Sequence, residues 1–175
     1  MTFATTVTTA VVALLGVLLG GWLTGRNLDR SWKREHARQW RDIRLATYSE
    51  FVSAYRQYVA FALEPGVKIA AVPNPREPDD LMPFFNEEGR PYKERLDTAS
   101  VAVRLVSESP DTMKACAAVV QRVRRIAAER AAHSETEIPS EAFRALWLAQ
   151  DDFLDATRRE LDLPEVRWRS IYPKV

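Results

Sequence analysis

Few residues in this chain are suited to chemistry. It has two histidines, His36 and His133, and one cysteine, Cys116. His36 stands among charged residues. His133 closes a helical stretch, where an imidazole interacts favourably with the last carbonyls and the helix dipole. A carboxylate-bridged di-iron site needs a Glu-x-x-His pair on each of two facing helices. Glu129 and His133 have the wrong spacing and occur once. Asp151, Asp152 and Asp155 lie within about one helical turn of each other, the pattern of a solvated acidic face. There is no glycine-rich phosphate loop, no Gly-x-Ser-x-Gly elbow and no His-Glu-x-x-His pair. Cys116 sits at helical spacing among alanines and valines, which predicts a buried, inert thiol. A single cysteine excludes an intrachain disulfide and any multi-cysteine zinc site. The expectation is a protein with no catalytic residues, no metal and no cofactor.

The elements that would position these residues begin with an uncharged stretch. Residues Phe3 to Thr24 contain no charge, and Val11 to Leu23 carry most of the hydrophobicity. As a helix, 22 residues rise about 33 Å, close to the ~30 Å hydrocarbon core of a bilayer. No Lys or Arg precedes Arg26, and no small-residue cleavage site follows, so the segment reads as an uncleaved anchor; a signal peptide and a buried soluble helix are the alternatives. Arg26, Arg30, Lys33, Arg34, Arg38, Arg41 and Arg44 follow the anchor against Asp29, Glu35 and Asp42, a local excess of four positive charges. The positive-inside rule then puts the amino terminus outside the cell membrane and the C-terminal domain in the cytoplasm. Trp22, Arg26, Arg30, Lys33 and Arg34 are expected to contact lipid headgroups, anionic ones in particular. Thr9, Ala13, Gly16, Gly20 and Thr24 form a stripe of small residues on one helix face, through which a homo-oligomer can form by close backbone approach.

Beyond the anchor the chain reads as all-α: a single N-terminal transmembrane helix continuing into a cytoplasmic four-helix bundle. Residues 1–25 are the anchor, 26–40 a basic juxtamembrane stalk and 41–175 the bundle, with a Pro-rich loop at 65–91. The first helix carries apolar residues at Trp32, Trp40, Ile43, Leu45, Tyr48, Val52, Tyr55, Val59 and Ala62. A second row, Phe51, Ala54, Tyr58 and Phe61, widens the stripe to the breadth of a bundle helix. Pro91 suits the first turn of a second helix, Tyr92 to Glu108, with Tyr92, Leu96, Ala99, Val103 and Val106 inward. Ser109-Pro110-Asp111 opens a third, with Met113, Cys116, Ala117, Val120, Val123 and Ala127 inward. Pro139-Ser140-Glu141 opens a fourth, with Phe143, Leu146, Trp147, Gln150, Phe153, Leu154, Thr157 and Leu161 inward. No strand pattern of useful length is expected. The loop holds six prolines and the pair Phe84-Phe85, which either packs onto the bundle or meets an unknown protein partner.

Charge narrows the function classes. The 25 Lys and Arg residues nearly balance 24 Asp and Glu, for a net charge of +1, which argues against a nucleic-acid-coating protein. Arg122, Arg124 and Arg125 make the third helix basic, and the fourth is acidic, a pairing expected of complementary neighbours. Tyr48, Tyr55, Tyr58 and Trp147 are aromatics at helical spacing that serve either as plain core or as the lining of a ligand pocket.

Leu14-Leu15-Gly16, Gly20 and Thr24, followed by Arg44, Tyr48, Phe51 and Ala54, resemble the build of small actinobacterial membrane proteins of the KilB plasmid-transfer type. The resemblance covers the first third of the chain. It implies a cytoplasmic-membrane location and a role linked to a mobile element, such as plasmid transfer, phage exclusion or phage defence. The residues themselves lead first to a membrane-tethered helical adaptor or scaffold working by protein–protein contacts. A small-ligand-sensing bundle is the further alternative.

Overall fold

The computed structural model describes residues 32, 35–73, 81–133 and 138–164. The chain divides into two compact units, Met1–Asp42 and Ile43–Val175. In the first, residues 35–42 are helical. Trp32 stacks on His36 at a centroid distance of 5.3 Å, and the Trp40 indole N–H donates to His36 Nε2 at 3.0 Å. Among the described residues no helix is long and apolar enough to cross a membrane. The anchor of residues 1–25, its small-residue stripe (Thr9, Ala13, Gly16, Gly20, Thr24) and the headgroup contacts Trp22, Arg26, Arg30, Lys33 and Arg34 lie outside the described residues.

The second unit is a helical bundle with a small hairpin. Its first helix, α1, covers 43–62. Tyr48, Phe51, Ala54, Tyr55, Tyr58, Phe61 and Ala62 are buried along it, so the second apolar row forms the centre of the core. Ile43 and Leu45, expected in the stripe, are exposed. Both precede Tyr48, the first buried residue along the helix. Pro65 cannot extend the ladder, and Gly66, at φ +84°, takes the left-handed turn that follows.

The chain then forms two strands where only a loop was expected: β1 (Ile69–Pro73) and β2 (Leu81–Phe85), paired antiparallel. Ile69 faces Phe85, Ala71 faces Pro83 and Pro73 faces Leu81. Proline has no N–H to give, so the Ala71–Pro83 pair exchanges no ladder bonds, and the pairs on either side, Ala70–Phe84 and Val72–Met82, carry them. Both prolines therefore turn their nitrogens outward. Alternation puts Pro83 and Phe85 on the buried face, with Ala70, Val72 and Phe84 exposed on the other.

Three helices complete the unit: α2 (Arg90–Val106), α3 (Pro110–Ala132) and α4 (Ser140–Glu160). α2 starts with Pro91 in its first turn and buries Leu96, Ala99 and Val103, while Tyr92 and Val106, also expected inward, are half-buried at its two ends. α3 is the central element and packs against α2, α4 and both strands. Its register differs from the expected one. Thr112, Cys116, Val119, Val123, Ile126, Ala127 and Ala128 are buried, and Ala117 is exposed. A helix covered by neighbours on several sides buries more than one stripe. α4 buries Leu146, Ala149, Phe153, Ala156 and Thr157. Its end is a Schellman turn: Asp162 N–H donates to Arg159 O at 3.2 Å and Leu163 N–H to Arg158 O at 2.9 Å. The left-handed position of that turn is held by Asp162, at φ 52°.

The core is aromatic from end to end. Phe153 meets Phe51 at 5.0 Å and Tyr48 at 6.0 Å, tying α4 to α1. Phe61 stacks on Tyr92 at 4.5 Å, tying α1 to α2. Arg95 of α2 pairs with Glu50 of α1 at 2.8 Å and also donates to Gln57.

Candidate functional site

A polar cluster lies inside the bundle where α1, the α2–α3 link and the end of α4 meet. The link is short because Pro110 pushes Ser109 out of helical conformation, to φ −90° and ψ 118°. Ser109 then caps α3, its Oγ accepting from Thr112 N–H at 3.3 Å. The amide of Glu108, one step earlier, is left without a helical partner. Glu160 from the last turn of α4 takes it: Glu108 N–H donates to Oε1 at 2.8 Å. The Ser107 hydroxyl donates to the same carboxylate, 2.9 Å from Oε2 and 3.1 Å from Oε1. From α1, Arg44 Nε donates to Val106 O at 2.9 Å and lies 3.9 Å from Glu160 Oε1. Its guanidinium also pairs with the Glu108 carboxylate. Arg44 thus neutralises the carbonyl end of α2 while Glu160 meets the amide end of α3, the sign each helix dipole favours.

Only 6% of the Glu160 side chain is exposed. Burial pushes its pKa up. The opposing donors outweigh that: the Thr112 hydroxyl, the Glu108 amide, and the Ser107 and Tyr48 hydroxyls together hold it below the ordinary carboxylate value. Tyr48 moves the other way, pushed up to about 12, first by burial and further by the Glu160 charge, although the Ser107 hydroxyl and Arg44 oppose this. The Tyr48 and Thr112 hydroxyls are fully enclosed, and neither completes a hydrogen bond of good geometry. Both stand close enough to the carboxylate to favour its charged form. Chemically this is an anion in a cradle of donors. It has no nucleophile and no proton to give at neutral pH.

The residues singled out from sequence fall elsewhere. Phe85 is buried in the core, 5.0 Å from Tyr58, so it is not available to a partner. Phe84 is 64% exposed on the other face of the hairpin. Side chains alternate along a strand, and the expected partner pair reduces to one residue. Tyr48, Tyr55 and Tyr58 are packed in the core, and the Tyr55 hydroxyl donates to Gln150 Oε1 at 2.6 Å. Trp147, expected inward beside them, is 62% exposed; Leu146 and Ala149 hold the inner face of α4. The four aromatics therefore do not line a common pocket.

Cys116 is buried, and burial pushes its thiol up to about 12 against the lowering effect of Arg104. His133 is the C-cap of α3, with Nδ1 3.1 Å from Glu129 O and 3.4 Å from the Glu129 carboxylate. Asp97 of α2 pairs with Arg124 of α3 at 2.8 Å. An α3–α4 ion pair, Asp111–Arg159 at 3.7 Å, has the acid on the basic helix. Among the described residues no group of three or more His, Cys, Asp and Glu side chains is placed to hold a metal.

Glu160, Ser107 and Thr112 were not singled out from sequence. The Ser-Glu-Ser-Pro-Asp-Thr run announces a capped helix start, but nothing in it names the carboxylate that comes from fifty residues away. A scan of protein-family models finds no match to this chain, and searches of curated proteins and of solved structures return none.

Proposed function

We propose that this protein is a membrane-tethered helical adaptor that acts through side-chain contacts with protein partners and carries no catalysis of its own. The observation that carries the reading is the uncharged run from Phe3 to Thr24 followed by the excess of four positive charges up to Arg44. That order is the signature of an anchor with its following domain on the cytoplasmic side. Confinement under a bilayer raises the effective concentration of the bundle toward any other membrane protein. Apolar side chains left outside the core at Phe84, Val101, Leu105, Trp147 and Leu148 are candidate contact points. Helix–helix association through Thr9, Ala13, Gly16, Gly20 and Thr24 would add a homo-oligomer in the membrane.

The test is fractionation and topology. The full chain is expected in the membrane fraction, resistant to carbonate extraction, and a chain lacking residues 1–25 in the soluble fraction. A reporter fused after Val175 should have cytoplasmic activity. A soluble full-length chain, or extracytoplasmic activity of the fusion, overturns the reading. Gly16→Ile/Gly20→Ile should reduce self-association in a membrane two-hybrid assay, and unchanged association removes the small-residue face from it.

A further inference from the structure

We propose that the seam between α1 and α4 is the docking site of the chain's own C-terminal segment, residues 165–175, which turns back along α4 and covers it. The seam is apolar on both sides of one hydrogen bond. The Tyr55 hydroxyl of α1 donates to Gln150 Oε1 of α4 at 2.6 Å. Val52 and Val59 stand three residues before and four residues after Tyr55, and so share its helix face. Trp147 and Leu154 flank Gln150 with the same spacing. Phe153 meets Tyr48 and Phe51 further along, so α4 runs antiparallel to α1 here. Val52, Val59 and Leu154 are half-buried, and Trp147 is 62% exposed. An apolar strip topped by an exposed indole is surface that a further apolar segment removes from water.

Three observations name the occupant. The first is where the described chain leaves α4. After the Schellman turn, Pro164 O accepts two hydrogen bonds from Arg158, from Nε at 3.2 Å and Nη2 at 2.8 Å. Arg158 lies four residues beyond Leu154 on the same face of α4. At Pro164 the chain has therefore already turned back onto the face that carries the seam. The second is reach. From Arg158 back to Trp147 is about 17 Å of helix, which about five residues of extended chain cover. With Pro164 held beside Arg158, Val166 comes level with Leu154, and Trp168 with the turn that carries Trp147 and Gln150. The third is composition. In an extended segment Val166, Trp168 and Tyr172 fall on one side, and Arg167 and Arg169 on the other. Asp151 and Asp155 follow Trp147 at four-residue steps and give the strip an acidic border. The apolar side of the segment fits the strip and its basic side complements the border. Docking of this kind needs no membrane anchor. It also changes what the seam offers, because a partner protein reading Trp147 has to displace the segment first.

The experiment uses the full chain in lipid nanodiscs, with Leu154→Cys as the reporter. Cys116 is enclosed and stays in place. Maleimide labelling is measured relative to Leu148→Cys, which stands exposed on another side of α4. The relative rate at Leu154→Cys is expected to be about tenfold lower in the full chain than in a chain lacking residues 165–175, and Trp168→Ala in the full chain should give most of the same increase. Equal relative rates with and without the segment overturn the proposal. Where truncation loosens the bundle, Leu154→Cys/Val166→Cys in the full chain decides. Mild oxidation should join these two positions within one chain. A disulfide that forms only between chains overturns the proposal in favour of a second copy on the seam, and no disulfide at all overturns it as well.

Discussion

The ring of Phe85 meets the ring of Tyr58 edge to face, with centroids 5.0 Å apart. This contact fastens the hairpin to the bundle, and it leaves no room on one side. Gly89 sits against the same ring: a Cβ there would lie 2.6 Å from Phe85 Cδ1 and 2.7 Å from Phe61 Cε1. The Gly89 backbone, at φ −84° and ψ −17°, is one that any residue adopts, so the constraint is space alone. Gly89→Ala is expected to destabilise the fold by about 1–3 kcal/mol through overpacking. A urea midpoint indistinguishable from wild type would contradict this.

Glu160 makes stability depend on acid. Its folded-state pKa lies below the ordinary 4.5, so the unfolded chain binds its proton first as pH falls. The contribution of the carboxylate is present above about pH 4.5 and is lost as pH drops through the lower folded value. Glu160→Gln keeps the shape and removes the charge-assisted bonds, at an expected cost of about 1.5–3 kcal/mol at neutral pH. The gap between wild type and Glu160→Gln should close on acidification, read as melting temperatures from pH 7 to pH 3. A gap that widens toward acid would mean the charge is not stabilising.

Asp162 occupies the left-handed position of the turn that ends α4. An L-residue pays for that conformation and glycine does not. Asp162→Gly is expected to stabilise the protein by about 0.5–1 kcal/mol, and Asp162→Val to destabilise it. Chemical denaturation of the two variants gives the sign directly.

The Cys116 thiol, pushed up to about 12 and enclosed on α3, should react with maleimide only when the bundle opens. The labelling rate should rise with urea in parallel with loss of helical signal. Fast labelling without denaturant would contradict the register of α3.

Helices were legible where periodicity and punctuation agreed. Pro91 and Ser109-Pro110 mark the starts of α2 and α3, and the apolar spacing of α2 identifies its three buried residues, with Tyr92 and Val106 half-buried at the ends of the same stripe. The inner face of α3 was less legible. Several elements pack on it, so Val119 and Ile126 are buried as fully as Val123, and a single stripe cannot represent them. A large aromatic at helical spacing predicts an inward Trp147, yet Leu146 and Ala149 hold the inner face of α4 and Trp147 is exposed. The strands were hidden because each is five residues long and both contain proline. The polar cluster was the least visible part. Glu160 in the sequence is one more acid on an acidic helix, and only the fold brings it to Ser107 and Arg44.

The outward-facing nitrogens of Pro73 and Pro83 decide how another molecule can engage the hairpin. A free strand edge invites a further strand from another chain, through its row of unused N–H and C=O groups. In β2 the middle donor of that row is missing at Pro83, and in β1 the row runs out at Pro73. The sheet therefore resists growth into a larger one, whether by a neighbouring copy or by an extended peptide. A molecule engaging this place would have to do so through the side chains of its outer face, Val72 and Phe84, with a surface of its own rather than a strand to lend.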